Sequence, residues 1–283
     1  MPLDREKLLA WKFNPVTQTY SQRDAILYAL GIGLGRDPLD QSELQYVYEK
    51  NLMTLPTFAV TLATLGMWVR NPEIGITWKQ LVQSAQRSTF HRPLPGSAQV
   101  TGEARISEVW DRGHDKGAVV VVQRTIKDSE THELYCTLEQ SLALRADGGF
   151  GGSAPPRAEV NLSDRAPDKV IRYATAPGQA IIYRLSGDWN PLHIDPDIAA
   201  EAGFSRPILH GNCSYGIAGW VACLAAGKDC IKLSRLECQF SGPVVPGDEM
   251  EFRFWEDEDN QWLFQARTGQ RVVLNRGLVT FKS

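Results

Sequence analysis

YRLSGDWNPLHIDPDIAAEAGFSRPILHG, residues 183–211, concentrates more chemistry than any other part of the chain. An acid, an amide and an imidazole (Asp188, Asn190 and His193) fall within six positions of one another. Gly187 precedes them, and Pro191 and Pro196 interrupt them, so the segment reads as a loop and not as a helix face. On a helix, residues five apart point in different directions. On a folded loop, Asp188 and His193 can converge on one water. Residues 197–202 read as a short helix, ended by Gly203, with Pro207 blocking its extension. After His210 and Gly211, apolar residues recur at helical spacing (Cys213, Ile217, Trp220, Val221, Leu224), which sets Gly211 near a helix N-terminus. Such a terminus offers unpaired N–H groups and about half a positive charge, a fitting seat for the oxygen of a polarised carbonyl. Taken alone, Gly-Asp-x-Asn-Pro is an ordinary turn, and His193 between Leu192 and Ile194 is an ordinary half-buried histidine. The joint occurrence points to a reaction layout.

The rest of the composition narrows the setting. The chain has 283 residues, 43% hydrophobic and 22% charged, as expected of one large or two ordinary globular domains. A net charge of −3 argues against nucleic acid as a partner, while a local basic patch for phosphates stays open. The five cysteines show no CxxC pair and no metal-like Cys/His spacing, so they read as core thiols in a reducing compartment. The N-terminal MPLDREKLLAW has no signal-peptide core, no apolar run reaches membrane-spanning length, and the C-terminal Phe-Lys-Ser is not a peroxisomal signal. The expectation is a cytoplasmic protein with no membrane partner.

Along the chain, Ser21 reads as the N-cap of a helix through Ala25, Leu27, Tyr28 and Leu30 that closes at Gly31 or Gly33. GIGLG here follows a helix and lacks the third glycine of a dinucleotide loop, so it reads as a helix end. Residues 44–49 (LQYVYE) alternate like a short strand, and 55–68 (LPTFAVTLATLGMW) read as a buried helix. Residues 99–146 carry three alternating segments broken by turn signals, an antiparallel meander. GGFGGSAPP at 148–156 reads as a linker. The second half repeats the plan, a helix over 212–226 followed by alternating strands. A nearly all-apolar helix is best covered by its own sheet, and two such units can pair their edges. The expected division is 1–147, a linker at 148–157, and 158–283.

The stretch at 183–211 resembles the signature of the MaoC-like, type 2 (R)-specific enoyl-CoA hydratases: YRLSGDxNPLHxDP, a short helix, then GFxxPILHG. The first half is similar to the N-terminal unit of the two-repeat form, in TYSQRDAILYALGIG, ELQYVYEKNLMTLPTFAV and HRPLP. It departs at 83–86, where Gln-Ser-Ala-Gln replaces the family's His-Gly-Glu-Gln, and it has no second Asp/His loop. The resemblance implies an α+β double hot-dog, two units each with a central helix wrapped by an antiparallel sheet. It implies reversible, syn-type hydration of a trans-2-enoyl-CoA to the (3R)-3-hydroxyacyl-CoA, with the first unit accommodating substrate. Asp188 and His193 activate the water, Asn190 fixes it or a neighbouring side chain, and the Gly211 N–H binds the thioester oxygen. No metal or organic cofactor is implied, coenzyme A enters only as part of the substrate, and a homodimer is expected. Arg206 beside the loop and Arg235 on the first strand after the helix are candidates for coenzyme A phosphates, with solvated surface charge as the plainer account of each. His210 is a substrate-contact candidate that can equally support the loop. The alternatives are a 3-hydroxyacyl-thioester dehydratase, acting on acyl-carrier protein or on a branched or ring-bearing CoA ester, and an acyl-CoA-binding module without turnover. A thioesterase is a weaker reading.

Overall fold

The computed structural model describes residues 3–156, 160–162, 164–258 and 260–283; the end of the expected linker at Arg157 and the start of the second unit at Ala158 lie outside them. The first half runs α1 (Arg5–Leu9), β1 (Val16–Tyr20), α2 (Gln22–Ile32), α3 (Gln41–Val47), then β2 (Leu81–Phe90), β3 (Ala98–Asp111), β4 (Ala118–Asp128) and β5 (Leu134–Leu144). The second runs β6 (Lys169–Ala174), α4 (Gln179–Tyr183), α5 (Pro196–Glu201), α6 (Gly211–Ala226), then β7 (Leu233–Phe240), β8 (Glu249–Glu258), β9 (Gln261–Thr268) and β10 (Arg271–Phe281).

All ten strands form one sheet in the order β1-β3-β4-β5-β2-β7-β10-β9-β8-β6. Each half therefore places its strands first-third-fourth-fifth-second, and the two halves meet antiparallel at β2 and β7, from Ala85 opposite Gln239 to Thr89 opposite Arg235. Joining the second strands hides an edge from each unit. This is the α+β double hot-dog.

The helix at the centre is α6. Its sixteen residues are buried on nearly every side, which suits a helix apolar all round. Small residues let neighbours come close: a Cβ at Gly216 would stand 2.5 Å from the Tyr28 hydroxyl, and one at Gly219 2.7 Å from Thr57. So α6 is covered by the first half as well as by its own strands.

Two sequence expectations change, and the linker at 148–156 gains an anchor. Residues 55–68 form no α-helix; Pro56–Thr61 is a 3-10 helix. Pro56 opens it, but Thr57, Val60 and Thr61 are β-branched and disfavour the longer helix, and the turn tightens before Ala63 takes a positive φ of 46°. Residues 44–49 belong largely to helix α3 instead of a strand, because Asp40 caps it by accepting from the Ser42 N–H at 2.8 Å. The glycine-rich run is no free tether either. The Asp111 carboxylate accepts from the Gly149 and Gly151 N–H groups at 2.8 and 2.6 Å, pinning the run to the end of β3. Elsewhere the reading holds: Ser21 and Asp24 form a capping box, and Gly33 closes α2 in the left-handed region. Among the described residues no helix is long and apolar enough to cross a membrane.

Candidate active site

Between α4 and α6 the chain is a string of tight local turns. A short 3-10 turn, Arg184–Ser186, extends α4 and is stopped by Gly187 at φ 111°, a left-handed conformation that a side chain would strain. The Asp188 carboxylate then accepts from the Asn190 N–H at 3.2 Å, and the Asn190 side-chain oxygen accepts from the Leu192 N–H at 3.2 Å. That second bond caps the 3-10 turn Pro191–His193, which carries the histidine. Asp195 does the same for α5, accepting from the Asp197 N–H at 2.9 Å. Asn190 thus braces the turn that holds His193 through the Leu192 N–H.

The turns bring Asp188, His193 and His210 together, with one side-chain ligand atom of each lying within 4.8 Å of the others. Asp188 is exposed, while His193 is 9% and His210 0% exposed. The two imidazoles stack at 3.7 Å between centroids and 30° between planes. His193 Nδ1 donates to the Ile208 carbonyl at 2.8 Å, so in the neutral ring Nε2 is unprotonated and can accept. His210 Nε2 donates to the Asp188 main-chain carbonyl at 3.2 Å, and its Nδ1 is buried without a partner. Burial holds the pKa of His193 below the ordinary histidine range. Burial, and then the adjacent His193, push that of His210 down to about 4. Both rings are therefore neutral near pH 7, which leaves His193 able to take a proton.

His210 is also the residue ahead of α6, and Gly211 is the first residue of that helix. The Cys213 and Ser214 N–H groups return to the His210 carbonyl, but those of Gly211 and Asn212 meet no acceptor among the described residues. They are the orphan donors of a helix start. The Phe240 ring packs against Gly211, 3.4 Å from where a Cβ would stand.

The two arginine candidates do not join the cluster. Arg235 lies on β7, bound to Glu237 at 2.7 Å. Its neighbour Leu236 faces α6, accepting from the Tyr215 hydroxyl at 2.7 Å and meeting Gly219, so strand alternation turns Arg235 to the opposite face of the sheet. Arg206 is exposed beside the loop and forms no hydrogen bond or ion pair among the described residues. His210 is part of the cluster but has no exposed surface; it bonds the Asp188 carbonyl and stacks on His193.

Two features escaped the sequence. The Ile208 carbonyl sets the His193 tautomer, and no residue type announces a backbone acceptor. Trp189, 58% exposed, lies under the Arg184 guanidinium at 4.4 Å from the ring centroid; the variable position in the motif gave no sign of that pair.

Comparison with known proteins covers both halves. Residues 159–275 match the model of the MaoC like domain, and residues 18–146 match that of the MFE-2 hydratase 2 N-terminal domain. An enoyl-CoA hydratase of Mycobacterium tuberculosis is 34% identical over 262 residues, 91% of each chain. A peroxisomal enoyl-CoA hydratase 2 of Arabidopsis thaliana is 34% identical, over 93% of this chain and 90% of its own. Among solved structures, a MaoC-like dehydratase from Phytophthora capsici superposes with a TM-score of 0.85 at 31% identity, covering 98% of both chains.

Proposed function

The chain belongs to the MaoC-like family, in the branch that carries a hydratase 2 N-terminal domain, and on that footing we propose that this hydratase converts trans-2-enoyl-CoA reversibly to (3R)-3-hydroxyacyl-CoA. The observation that carries the reading is the meeting of Asp188 and His193 beside the unpaired N–H groups that open α6.

The chemistry divides among these groups. The Gly211 N–H, at the positive end of α6, holds the thioester oxygen and draws electrons from the β carbon. A water between Asp188 and the His193 Nε2 loses a proton to the pair and attacks that carbon. The same pair returns a proton to the α carbon from the same face, giving syn addition. Each proton transfer contributes about 10²–10⁴-fold, and the oxyanion donor about 10²–10³-fold. Asn190 keeps the His193 turn closed, and His210 fixes the Asp188 backbone. One transition state serves both directions, so dehydration is the same activity read backwards. The first unit, 1–147, accommodates the acyl chain, and 158–283 performs the reaction.

The test is loss of the enoyl absorbance of crotonyl-CoA, coupled in parallel to an (R)-specific and an (S)-specific 3-hydroxyacyl-CoA dehydrogenase. Signal in the (R) assay alone is expected. Binding without loss of absorbance would establish the non-catalytic module instead, and preference for a carrier-protein thioester the dehydratase alternative. The reaction needs no metal or organic cofactor, so activity is expected to survive dialysis against a chelator; loss restored by a divalent cation would assign the Asp188–His193–His210 cluster to a metal. The working state is a cytoplasmic homodimer, expected at twice the 31.5 kDa of one chain in sedimentation.

A further inference from the structure

The interior of the first unit is polar where a fatty chain needs an apolar wall. Residues directly opposite each other in an antiparallel ladder share a face. Gln86 on β2 stands opposite Gln140 on β5, Gln140 opposite Val122 on β4, and Leu138 opposite Arg124. Val122 and Leu138 are core residues, so Gln86, Gln140 and Arg124 point into the same interior. The row also reaches the active site. Gln83 Nε2 donates to Gln86 Oε1 at 3.1 Å and to Asn212 Oδ1 at 3.2 Å, and Asn212 follows the oxyanion glycine.

This row parts the core in two. Ile126 and Leu138 lie in one apolar cluster; Val120, Val122, Leu142 and Leu144 lie in another. Asn212, Gln83, Gln140 and Arg124 are only half-buried although they face inward, so the row between the clusters is not sealed by apolar packing. The Gln140 amide forms no hydrogen bond among the described residues. At the far end, Arg124 Nη2 donates to the Val60 carbonyl at 2.9 Å, while its Nε is buried without a partner and no described acid pairs with it. Burial lowers its pKa to about 10. A charge in that position is costly unless an opposite charge joins it. Two strand spacings and two residues separate Gln86 from Arg124, about 12 Å, so an acyl chain held at Gly211 needs more than about ten carbons to pass Gln86 and reach Arg124.

We infer that this enzyme takes enoyl thioesters whose acyl chain ends in a carboxylate, with Arg124 pairing that carboxylate and Gln83, Gln140 and Asn212 lining its path. The inference rests on the hydratase reading, with the thioester held at Gly211 and the acyl chain in the first unit. A methyl-ended chain of equal length leaves the guanidinium unpaired and the amides stripped of water, and a site built for polar groups rejects such an analogue strongly.

The experiment compares kcat/KM of the full chain for trans-2-enoyl-CoAs of about ten to sixteen carbons with their ω-carboxy analogues. Wild type is expected to favour the carboxylate by at least about tenfold, Arg124→Met to abolish the preference, and Arg124→Lys to keep part of it. Equal rates in wild type, a stronger preference for the neutral ω-hydroxy analogue, or equal losses on both substrates in Arg124→Met overturn the inference; the last makes Arg124 a prop for Val60. Should Arg124→Met not fold, Gln140→Leu is expected to lower the carboxylate preference severalfold, and an unchanged ratio overturns the inference as well. Crotonyl-CoA, too short to reach Arg124, separates the two levels. If wild type leaves it untouched, the hydratase reading itself fails; if wild type hydrates it yet shows no carboxylate preference, only the substrate class fails.

Discussion

The two units begin alike and then part. Ala25-Ile-Leu-Tyr-Ala-Leu in α2 and Ala180-Ile-Ile-Tyr-Arg-Leu in α4 and its extension come after the first strand of each unit, and the two tyrosines face each other at 6.0 Å between ring centroids. Each tyrosine is fully buried, yet between these helices and the four strands that end each unit the two differ. After α4 the chain makes capped turns that assemble Asp188, His193 and His210, then the long helix α6. After α2 it makes α3 and a 3-10 helix of six residues, and the interior gains a polar row in place of a helix. One scaffold occurs twice, once carrying the Asp188, His193 and His210 cluster and once a polar row of Gln86, Gln140 and Arg124.

Breaking the chemical half should produce the largest effect. Asp188→Asn or His193→Ala is expected to lower kcat by on the order of 10²–10⁴-fold, with an unchanged circular dichroism spectrum; retained turnover in both removes the second unit's claim to the reaction. Crowding the central helix comes next. Gly216→Ala puts a methyl against Tyr28 and should destabilise the fold by about 1–3 kcal/mol in denaturant unfolding.

Acid offers a gentler probe. The folded pKa of His210, about 4, lies below the ordinary 6.5, so between those values the unfolded chain binds more protons than the folded one. Stability should therefore fall as pH drops from about 6.5 towards 4 and change no further through this group below that, a slope that His210→Gln should flatten. A slope of equal size in the variant would place its origin elsewhere. The smallest effect is expected at Tyr183→Phe. The hydroxyl is buried with no partner, so its removal should leave stability within about 1 kcal/mol or raise it.

Much of this was legible in residue order because it is local. The capping box at Ser21 and Asp24, the turn residues around Asp188 and the apolar spacing after Gly211 each act within a few positions, where propensity and capping decide conformation. Apolar periodicity misled where capping or branching overruled it, at α3 and at Pro56–Thr61. Tertiary structure alone decided the rest. Strand alternation carried Arg235 away from the site, the Ile208 carbonyl selected the His193 tautomer, and pairing of β2, β5 and β4 lined up Gln86, Gln140 and Arg124 from positions far apart in the chain. The reason is physical: which face a strand residue takes, and which distant backbone oxygen meets an imidazole, depend on register and packing between segments that no local pattern encodes.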